Sequence, residues 1–344
     1  MSAPIRIAFA PTRMGGNPYL DDLAASLPAD RIVEVKGTWD ELAGPVPTAS
    51  VDVVHIHLIQ MLLDESASPR RAAARFVRRL VRMRRRGIGI VWTMHNVSSH
   101  ETSVPYLDRL VRRATAAACR RVIVHCAAAE RELRRLWPAA RAQRIPHPAR
   151  ARSSVTREEA RRALDISETA RAVAIPGRIR GYKDVPGALS AILAQADNDT
   201  VVLVAGAPHD ERLADQVRAA AGSDPRARLY LQLLDDDEIA RIVAASDVVV
   251  LPYRKILTSG TAVLASELGV PSVAPALGCL PEQLGDGGLF HEQGDLATAA
   301  RLALRTPLDE LRRRGARAQA LALVATWDKA GLAHARVYEE AFSR

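Results

Sequence analysis

Short apolar runs alternate along this chain with longer segments in which apolar residues recur at helical spacing. The runs lie at 5–10, 52–57, 88–93, 172–175, 200–205 and 247–251. Because they are short and rich in Val, Ile, Leu and Ala, they predict buried β-strands, and the segments between them predict helices. Strands that alternate with helices are typical of parallel sheets covered on both faces. The sequence therefore predicts an α/β protein with doubly wound, Rossmann-like sheets.

The 344 residues are enough for two such domains. A charged connection at about 149–170 separates two series of strands and helices. We therefore expect an N-terminal domain at 1–165, a C-terminal domain at 166–325, and a cleft between them. An amphipathic segment at 326–344 predicts a last helix, which would cross back to the first domain.

The positive charge is concentrated in the first half. Residues 1–150 contain 24 Arg and Lys against 13 Asp and Glu, whereas the remainder contains 24 against 26. This asymmetry predicts an anionic partner. The predicted helix at 69–86 carries nine Arg around a narrow apolar side formed by Ala73, Phe76, Val77, Leu80 and Val81. Its cationic face predicts contact with an anionic membrane, although a soluble anionic acceptor or simple solvation would use the same face.

Other partners are not expected from the composition. The Arg-rich helix lacks interleaved aromatic residues, so nucleic acid is not an expected partner. No carboxylate or Cys accompanies the His residues at ligand spacing, so neither a metal nor a cofactor is expected. No apolar run approaches the roughly 20 residues that span a bilayer. We expect a cytoplasmic protein, or one peripheral on the inner face of the cell membrane.

Two segments of the second half carry candidate anion-binding groups. Arg178 and Lys183 flank a glycine-containing loop after the strand at 172–175, where cations would stabilise a diphosphate, or would be two solvated surface charges. Thr258, Ser259 and Gly260 stand where a predicted helix begins. Backbone N–H groups and the helix dipole attract anions at such a position, although a capped surface helix begins in the same way.

Histidines mark the ends of two predicted strands in the first half. His95 follows the strand at 88–93, at the sheet edge where open α/β sheets place their ligands. His55 and His57 lie on one face of the strand at 52–57, and we expect at least one of them to serve packing.

Taken in order, these motifs resemble those of the GT-B glycosyltransferases, in particular family 4 and its bacterial exopolysaccharide and glycolipid relatives. The matching pieces are Gly15-Gly16-Asn17-Pro18-Tyr19, residues 53–57, residues 92–96 with His100-Glu101, Gly177-Arg178 with Tyr182-Lys183, Leu251-Pro252-Tyr253, Ser259-Gly260 and Leu280-Pro281-Glu282. The resemblance covers nearly the whole chain. It implies a metal-independent enzyme that moves a sugar from a UDP- or GDP-sugar to a hydroxyl of a glycolipid, polysaccharide or glycosylated metabolite.

The resemblance also assigns roles to residues. The expected catalytic residues are His95, Arg178 and Lys183. The expected donor-binding residues are Gly15, Gly16, Gly177, Arg178, Lys183, Gly206, Thr258, Ser259, Gly260 and Glu282. The expected acceptor-binding residues are Asn17, Tyr19, Asn96, His100 and Glu101.

One departure from the family pattern leaves alternatives open. Retaining members carry two Glu before a Gly-x-Pro, and this sequence has Ile256 and Leu264 at those positions. It matches the Ser-Gly variant instead, in which ribose recognition would fall to another residue such as Glu282. An inactive scaffold or a pseudo-glycosyltransferase therefore stays open. If the mechanism inverts the anomeric centre, Asp21, Asp22 and Glu101 are candidate bases.

Overall fold

The computed structural model describes residues 3–12, 18–44, 50–63, 68–98, 104–151 and 155–343. The chain forms two compact units. The first consists of Met1–Pro146 with Trp327–Arg344, and the second of His147–Thr326.

The first unit is built on a parallel six-stranded sheet. Its strands are β1 Ile5–Ala10, β2 Ile32–Glu34, β3 Val53–Ile56, β4 Gly89–Thr93, β5 Arg121–Val124 and β6 Ala142–Arg144, in the spatial order β2-β1-β3-β4-β5-β6. Every neighbouring pair of these strands is parallel. The central strands are fully buried, which explains their continuous apolar sequence.

Helices cover this sheet. They are α1 Tyr19–Ser26, α2 Trp39–Ala43, α3 Pro69–Arg85, α4 Pro105–Ala118, α5 Ala127–Leu136 and, from the end of the chain, α14 Trp327–Phe342, and a 3₁₀ turn spans Ile59–Leu62. Gly331 of α14 lies against α1 so closely that a Cβ there would be 1.9 Å from the Ser26 carbonyl oxygen. The apolar pattern of α14 is only partly inward, since Val337 and Tyr338 are buried whereas Leu332 and Phe342 are exposed.

The second unit has its own parallel six-stranded sheet. Its strands are β7 Arg171–Pro176, β8 Thr200–Ala205, β9 Ala227–Tyr230, β10 Val248–Val250, β11 Ser272–Pro275 and β12 Gly288–His291, in the order β12-β11-β10-β7-β8-β9. This is the dinucleotide-fold order, with a reversal between β7 and β10. Its helices are α6 Arg157–Ala163, α7 Val185–Leu193, α8 Glu211–Ala221, α9 Asp236–Ala244, α10 Gly260–Glu267, α11 Leu280–Leu284, α12 Leu296–Arg305 and α13 Leu308–Ala322, with a 3₁₀ turn at Gly285–Gly287.

The division between the units falls at Pro146 and His147, whereas the sequence predicts it near residue 165. Residues after 147 pack within the second unit. Ala149 forms a parallel bridge with Thr326, and the fully buried guanidinium of Arg161 in α6 pairs with Asp247 at 2.9 Å. Arg161 of this segment therefore belongs to a buried ion pair within the second unit. The prediction of an α/β protein with two Rossmann-like sheets is confirmed.

Candidate active site

Two loops leave the carboxyl ends of β7 and β10, where the order of the second sheet reverses. Lys183 of one loop forms an antiparallel bridge with Tyr253 of the other, and the Asp184 N–H donates to the Pro252 carbonyl oxygen at 2.9 Å. These bonds hold the two loops side by side. Because ligands of open α/β sheets bind at such a reversal, the loop that starts at Gly177 lies at the expected ligand-binding edge.

The Lys183 side chain is buried between the two loops and the first turn of α10. Only 9% of the residue is exposed, and its Nζ lies 5.3 Å from the centroid of the Tyr253 ring. A Cβ built on Gly177 would be 3.3 Å from this Nζ and 2.8 Å from Thr261 Oγ1. The ammonium group therefore sits beside the Gly177 backbone and near the start of a helix.

This ammonium group has no anionic partner among the residues that the structure describes. Burial, together with repulsion from the charges of Arg180 and Arg178, lowers the pKa of Lys183 to about 8. A buried cation without a counter-ion is costly unless a ligand supplies the negative charge. The surroundings of Lys183 thus suit the binding of an anion.

The N-terminus of α10 completes the surroundings of this anion site. Ser259 caps the helix, with its Oγ accepting from the Ala262 N–H at 3.1 Å and lying 2.9 Å from the Tyr253 hydroxyl. The Ser259 N–H itself donates to Gln283 Oε1 at 3.4 Å. The sequence-predicted cap is therefore formed, and it is fixed by a buried tyrosine.

Two backbone N–H groups in this first turn stay available. In the described portions of the chain, no hydrogen bond uses the N–H of Gly260 or of Thr261. Both point from a helix N-terminus, where the helix dipole favours negative charge. Together with Lys183 they form a cationic and N–H-rich surface suited to a phosphate group.

Glycine is required where β7 and β8 end. Gly177 has φ +97° and Gly206 has φ +139°, both in the region that side chains disfavour. A Cβ at Gly206 would be 2.6 Å from the Gly177 carbonyl oxygen, so the two loops touch backbone to backbone. This contact sets the path of the loop that leads to Arg178.

The structure thus brings together five residues that the sequence predicts for donor binding, namely Gly177, Lys183, Gly206, Ser259 and Gly260. Thr258 directly precedes the cap, and Arg178 and Glu282 are exposed, Glu282 in the first turn of α11. Sequence reasoning missed Thr261 and Gln283. Thr261 follows the predicted Ser-Gly helix start by one residue, and that neighbourhood could have indicated it, whereas nothing in the sequence indicates Gln283. The roles of all these residues stay predictions.

In the first unit, His95 lies just beyond β4 at the carboxyl edge of the sheet. Its Nε2 is 3.1 Å from Nδ1 of His57, which follows β3. The Tyr19 ring meets the His95 ring edge to face at a centroid distance of 5.2 Å. His95 is half-buried, so its ring is held by neighbours and is still open to solvent.

His55 serves packing, as the sequence predicts for at least one residue of this pair. Its Nδ1 is 2.8 Å from the Tyr338 hydroxyl and its Nε2 is 2.7 Å from Thr93 Oγ1, so both ring nitrogens are satisfied inside the core. Burial holds the pKa of His55 and of His57 well below its usual range, and the neighbouring histidines add to this effect. Within the described ranges, no group of three or more His, Cys, Asp or Glu residues could hold a metal ion.

A buried ion pair supports the chain after His95. The Arg112 Nε lies 3.1 and 3.0 Å from the two carboxylate oxygens of Asp108, and its Nη1 donates to the Asn96 carbonyl oxygen at 2.9 Å. The backbone of Asn96, a predicted acceptor-binding residue, is therefore fixed from inside the unit.

The remaining predicted residues of the first unit fall into two groups. Gly15, Gly16, Asn17, His100 and Glu101 lie outside the described residues. Tyr19 is 3% exposed, and its ring packs against those of three histidines and Trp327. The contacts described for Tyr19 are those of a core residue, and its part in acceptor binding stays a prediction.

Comparison with known proteins adds a family and relatives. Residues 170–307 match the family described as "Glycosyl transferases group 1". The chain is 26% identical to a GDP-mannose:glycolipid 4-beta-D-mannosyltransferase of Xanthomonas campestris, over 95% of this chain and 89% of the relative. A D-inositol 3-phosphate glycosyltransferase of Saccharomonospora viridis is 32% identical over 55% of this chain and 47% of its own length.

Solved structures share the fold at low sequence identity. Sucrose-phosphate synthase from Thermosynechococcus elongatus superimposes with a TM-score of 0.76 at 16% identity, covering 99% of this chain and 100% of that one. The Anabaena protein HepE, in complex with UDP and glucose, gives a TM-score of 0.73 at 16% identity, covering 96% and 98%.

The two parallel six-stranded sheets are those of the solved structures named above, which establishes the GT-B fold. The chain has the GT-B fold, its residues 170–307 match the group 1 glycosyl transferases, and together with the named relatives these findings support a glycosyltransferase. The resemblance that the sequence motifs predict is confirmed.

Proposed function

We propose that this glycosyltransferase moves a hexose from a nucleoside-diphosphate sugar to a hydroxyl of a lipid-linked acceptor. The observation that carries the proposal is the buried Lys183 ammonium, without a counter-ion among the described residues, beside the unused N–H groups of Gly260 and Thr261. As the glycosidic bond breaks, negative charge grows on the diphosphate that leaves. Fixed donors aimed at that charge stabilise the transition state more than the ground state.

The donor we propose first is GDP-mannose, with UDP-glucose as its alternative. GDP-mannose is named for the Xanthomonas relative that aligns over 95% of this chain. UDP and UDP-glucose are the ligands named for the HepE structures, whose likeness to this chain is one of fold. The groups described above would contact phosphate, which both donors share, so they support a diphosphate and leave the choice of base to experiment.

We propose further that the diphosphate is held without a metal ion. The ammonium group and the helix N-terminus supply positive potential where a metal-dependent enzyme would use carboxylates to hold Mg²⁺. Arg178, whose charge acts on Lys183, would add a guanidinium to the same anion.

A transfer assay tests these proposals together. We expect the full chain to release GDP or UDP from one of the two donors and to add one hexose to an alkyl glycoside, as measured by mass spectrometry. EDTA should leave the rate unchanged. A rate that vanishes with EDTA and returns with Mg²⁺ or Mn²⁺ would refute metal independence. If the protein neither hydrolyses nor transfers the sugar of any donor, the inactive-scaffold alternative is supported.

The acceptor proposal rests on the basic surface of the first unit, where α3 and α4 lie side by side and parallel. The Arg70 Nε is 3.4 Å from the Tyr106 hydroxyl near the start of both helices, and the Arg84 Nη1 donates to the Ala117 carbonyl oxygen near their ends. α4 exposes Tyr106 and Leu110 by 55% and 54%. Exposed apolar groups among arginines suit the headgroup region of an anionic membrane.

The structure corrects which α3 residues face outward. The buried side consists of Ala72, Ala73, Phe76, Leu80 and Met83, so Val77 is only partly buried and Val81, predicted to pack, is 44% exposed. Arg79 pairs with Asp40 and lies over the Trp39 ring, and Arg82 and Arg86 donate to carbonyl oxygens of Ala43 and Gly44. These three arginines anchor α2, Arg79 at its start and Arg82 and Arg86 at its end, which reduces the charge available to a partner.

Arg71, Arg78 and Arg85 are exposed α3 arginines that neither an ion pair nor a hydrogen bond between described residues uses. We expect the protein to sediment with phosphatidylglycerol vesicles and to be released at high salt, because the charges are screened. Replacing all three with Gln should lower binding about 100-fold, since each basic residue near an anionic leaflet contributes about 1 kcal/mol.

The matched control removes the same charge from the second unit through Arg301, Arg312 and Arg317, which are exposed. This variant should bind vesicles like the parent. Equal loss in both variants would mean that net charge alone drives binding, and equal partitioning of the parent onto phosphatidylcholine would exclude an electrostatic membrane surface. None of the helices among the described residues is long and apolar enough to cross a membrane.

A further inference from the structure

His57 is a buried histidine whose two ring nitrogens have different surroundings. The residue is 2% exposed and its ring packs between those of Phe9, Tyr19 and His55. Nδ1 lies 3.1 Å from His95 Nε2, whereas the buried Nε2 has no hydrogen-bond partner in the part of the chain that the structure describes. One nitrogen thus bonds to His95, and the other is buried without a partner among the described residues.

This arrangement decides which nitrogen of His57 carries the proton. A neutral imidazole has one N–H, and a bond between two ring nitrogens needs a donor on one side and a bare lone pair on the other. If His95 donated, His57 would have to bury its own N–H at Nε2 without an acceptor. Orphaned buried N–H groups are rarer than under-used acceptors, so the favoured arrangement has His57 Nδ1–H donating to His95 Nε2.

This hydrogen bond also determines which nitrogen of His95 carries the proton. With its Nε2 accepting a hydrogen bond, a neutral His95 must carry its proton on Nδ1. Burial lowers the pKa of His57, and repulsion from His55, His334 and His125 lowers it further, so a positive charge on His57 is disfavoured. His57 also packs against the rings of His55 and Tyr19. The Tyr19 ring also packs edge to face against the ring of His95.

We propose that His57 is a positioning residue that holds His95 as a neutral imidazole with its proton on Nδ1. This inference rests on the proposed function and on the predicted role of His95 as a catalytic residue that contacts the transferred sugar. His95 then serves as an N–H donor to a sugar oxygen and not as a general base, and no proton leaves it in the reaction. His57 touches neither sugar nor nucleotide in this account, and it acts only through His95.

The test is long-range ¹H–¹⁵N NMR of the full chain with ¹⁵N-labelled histidine, in which the signals of His95 are identified by their loss in His95→Gln. In the parent protein we expect the pattern of an Nδ1–H tautomer for both His57 and His95. An Nε2–H pattern at His95, or a doubly protonated ring at pH 7, would overturn the proposal. This readout needs no activity, so its failure is distinct from failure of the proposed function.

Two variants add the functional readout. His57→Asn keeps an N–H at the δ position, whereas His57→Leu removes it. We expect His57→Leu to release His95 into a mixture of tautomers and to lower kcat about tenfold, as for one lost hydrogen bond. His57→Asn should restore both the tautomer and most of the rate, and GDP or UDP affinity should be unchanged in both. The assignment would be overturned if His95 kept its parent tautomer in His57→Leu. It would also be overturned if a folded His57→Asn restored neither the tautomer of His95 nor kcat.

Discussion

Replacing Lys183 with Ala is expected to weaken nucleoside-diphosphate binding by about 10- to 150-fold, because a hydrogen bond to a charged group is worth roughly 1.5–3 kcal/mol. The fold should persist. The ammonium is buried without a counter-ion in the described part of the chain, so its removal takes away an unfavourable burial rather than a stabilising ion pair. Calorimetric titration with GDP and UDP measures the loss. A Lys183→Ala variant that binds both nucleotides like the parent would show that the loop after β7 does not hold the diphosphate.

The same residue predicts a pH dependence with a definite sign. Burial lowers the pKa of Lys183 to about 8, so the group is charged at pH 7 and largely neutral at pH 9 before a nucleotide binds. Nucleotide affinity should therefore fall as the pH rises through about 8. Lys183→Arg stays charged over this range and should not show the fall. An equally steep fall in the Arg variant would assign the titration to another group.

Folding stability should respond in the opposite direction. The pKa of Lys183 is lower in the folded chain than the ordinary value of 10.5, so the unfolded chain binds more protons between about pH 8 and 10.5. Stability gained from this residue therefore rises with pH across that window, by up to roughly 3 kcal/mol. Loss of ligand affinity at pH 9 then cannot come from unfolding at this site.

Gly206→Ala is expected to disrupt the same site from the backbone. The residue has φ +139°, and a Cβ there would be 2.6 Å from the Gly177 carbonyl oxygen, so the loop that leads to Lys183 must move. Strain at such a position costs about 1–3 kcal/mol before the clash is counted. We expect a lower melting temperature and a loss of nucleotide affinity of at least about tenfold.

Gly181→Ala is the matched control. Gly181 belongs to the same loop, its φ is not in the left-handed region, and a Cβ there would have nothing within 4 Å. This variant should bind nucleotides within about twofold of the parent and be slightly more stable, since Ala restricts the unfolded chain. If both variants lost affinity equally, the loop would be intolerant of any change and the contact between Gly206 and Gly177 would not be the cause.

Much of the fold follows from the sequence because its central strands are buried on both faces. β4, β7, β8 and β10 are almost entirely apolar, and α14 lies within the segment at 326–344 whose pattern predicts it. Edge elements carry weaker patterns. β6 has no fully buried residue and β12 has an exposed Phe290, so neither has the apolar sequence of a central strand.

The residues of the candidate site likewise fall into those that local sequence predicts and those that depend on packing. Glycine, lysine and a Ser-Gly helix start at strand ends can be recognised locally, and these residues prove to be neighbours. Gln283 could not be found in this way, because its contact with Ser259 depends on how α11 packs beside α10. The separate roles of His55 and His57 were equally hidden, since Tyr338, which bonds His55, lies 283 residues away in the chain.

The charge pattern was the sequence feature that predicted the structure least well. The nine arginines of the segment 69–86 suggest a uniform cationic face, whereas Arg79, Arg82 and Arg86 bind α2 and Arg84 binds α4. A count of charges does not reveal which carbonyl oxygens need donors. Only the packed helices do, because helix ends leave carbonyl groups that a neighbouring guanidinium can satisfy.

The most direct measurement of the central claim is calorimetric titration of the full chain with GDP and UDP in the presence of EDTA, beside GMP and UMP. The account predicts saturable one-site binding of at least one nucleoside diphosphate without metal, weaker binding of its monophosphate, and loss of the difference in Lys183→Ala. Binding that requires a divalent metal, or equal affinity for monophosphate and diphosphate, or no binding of either diphosphate, would contradict it.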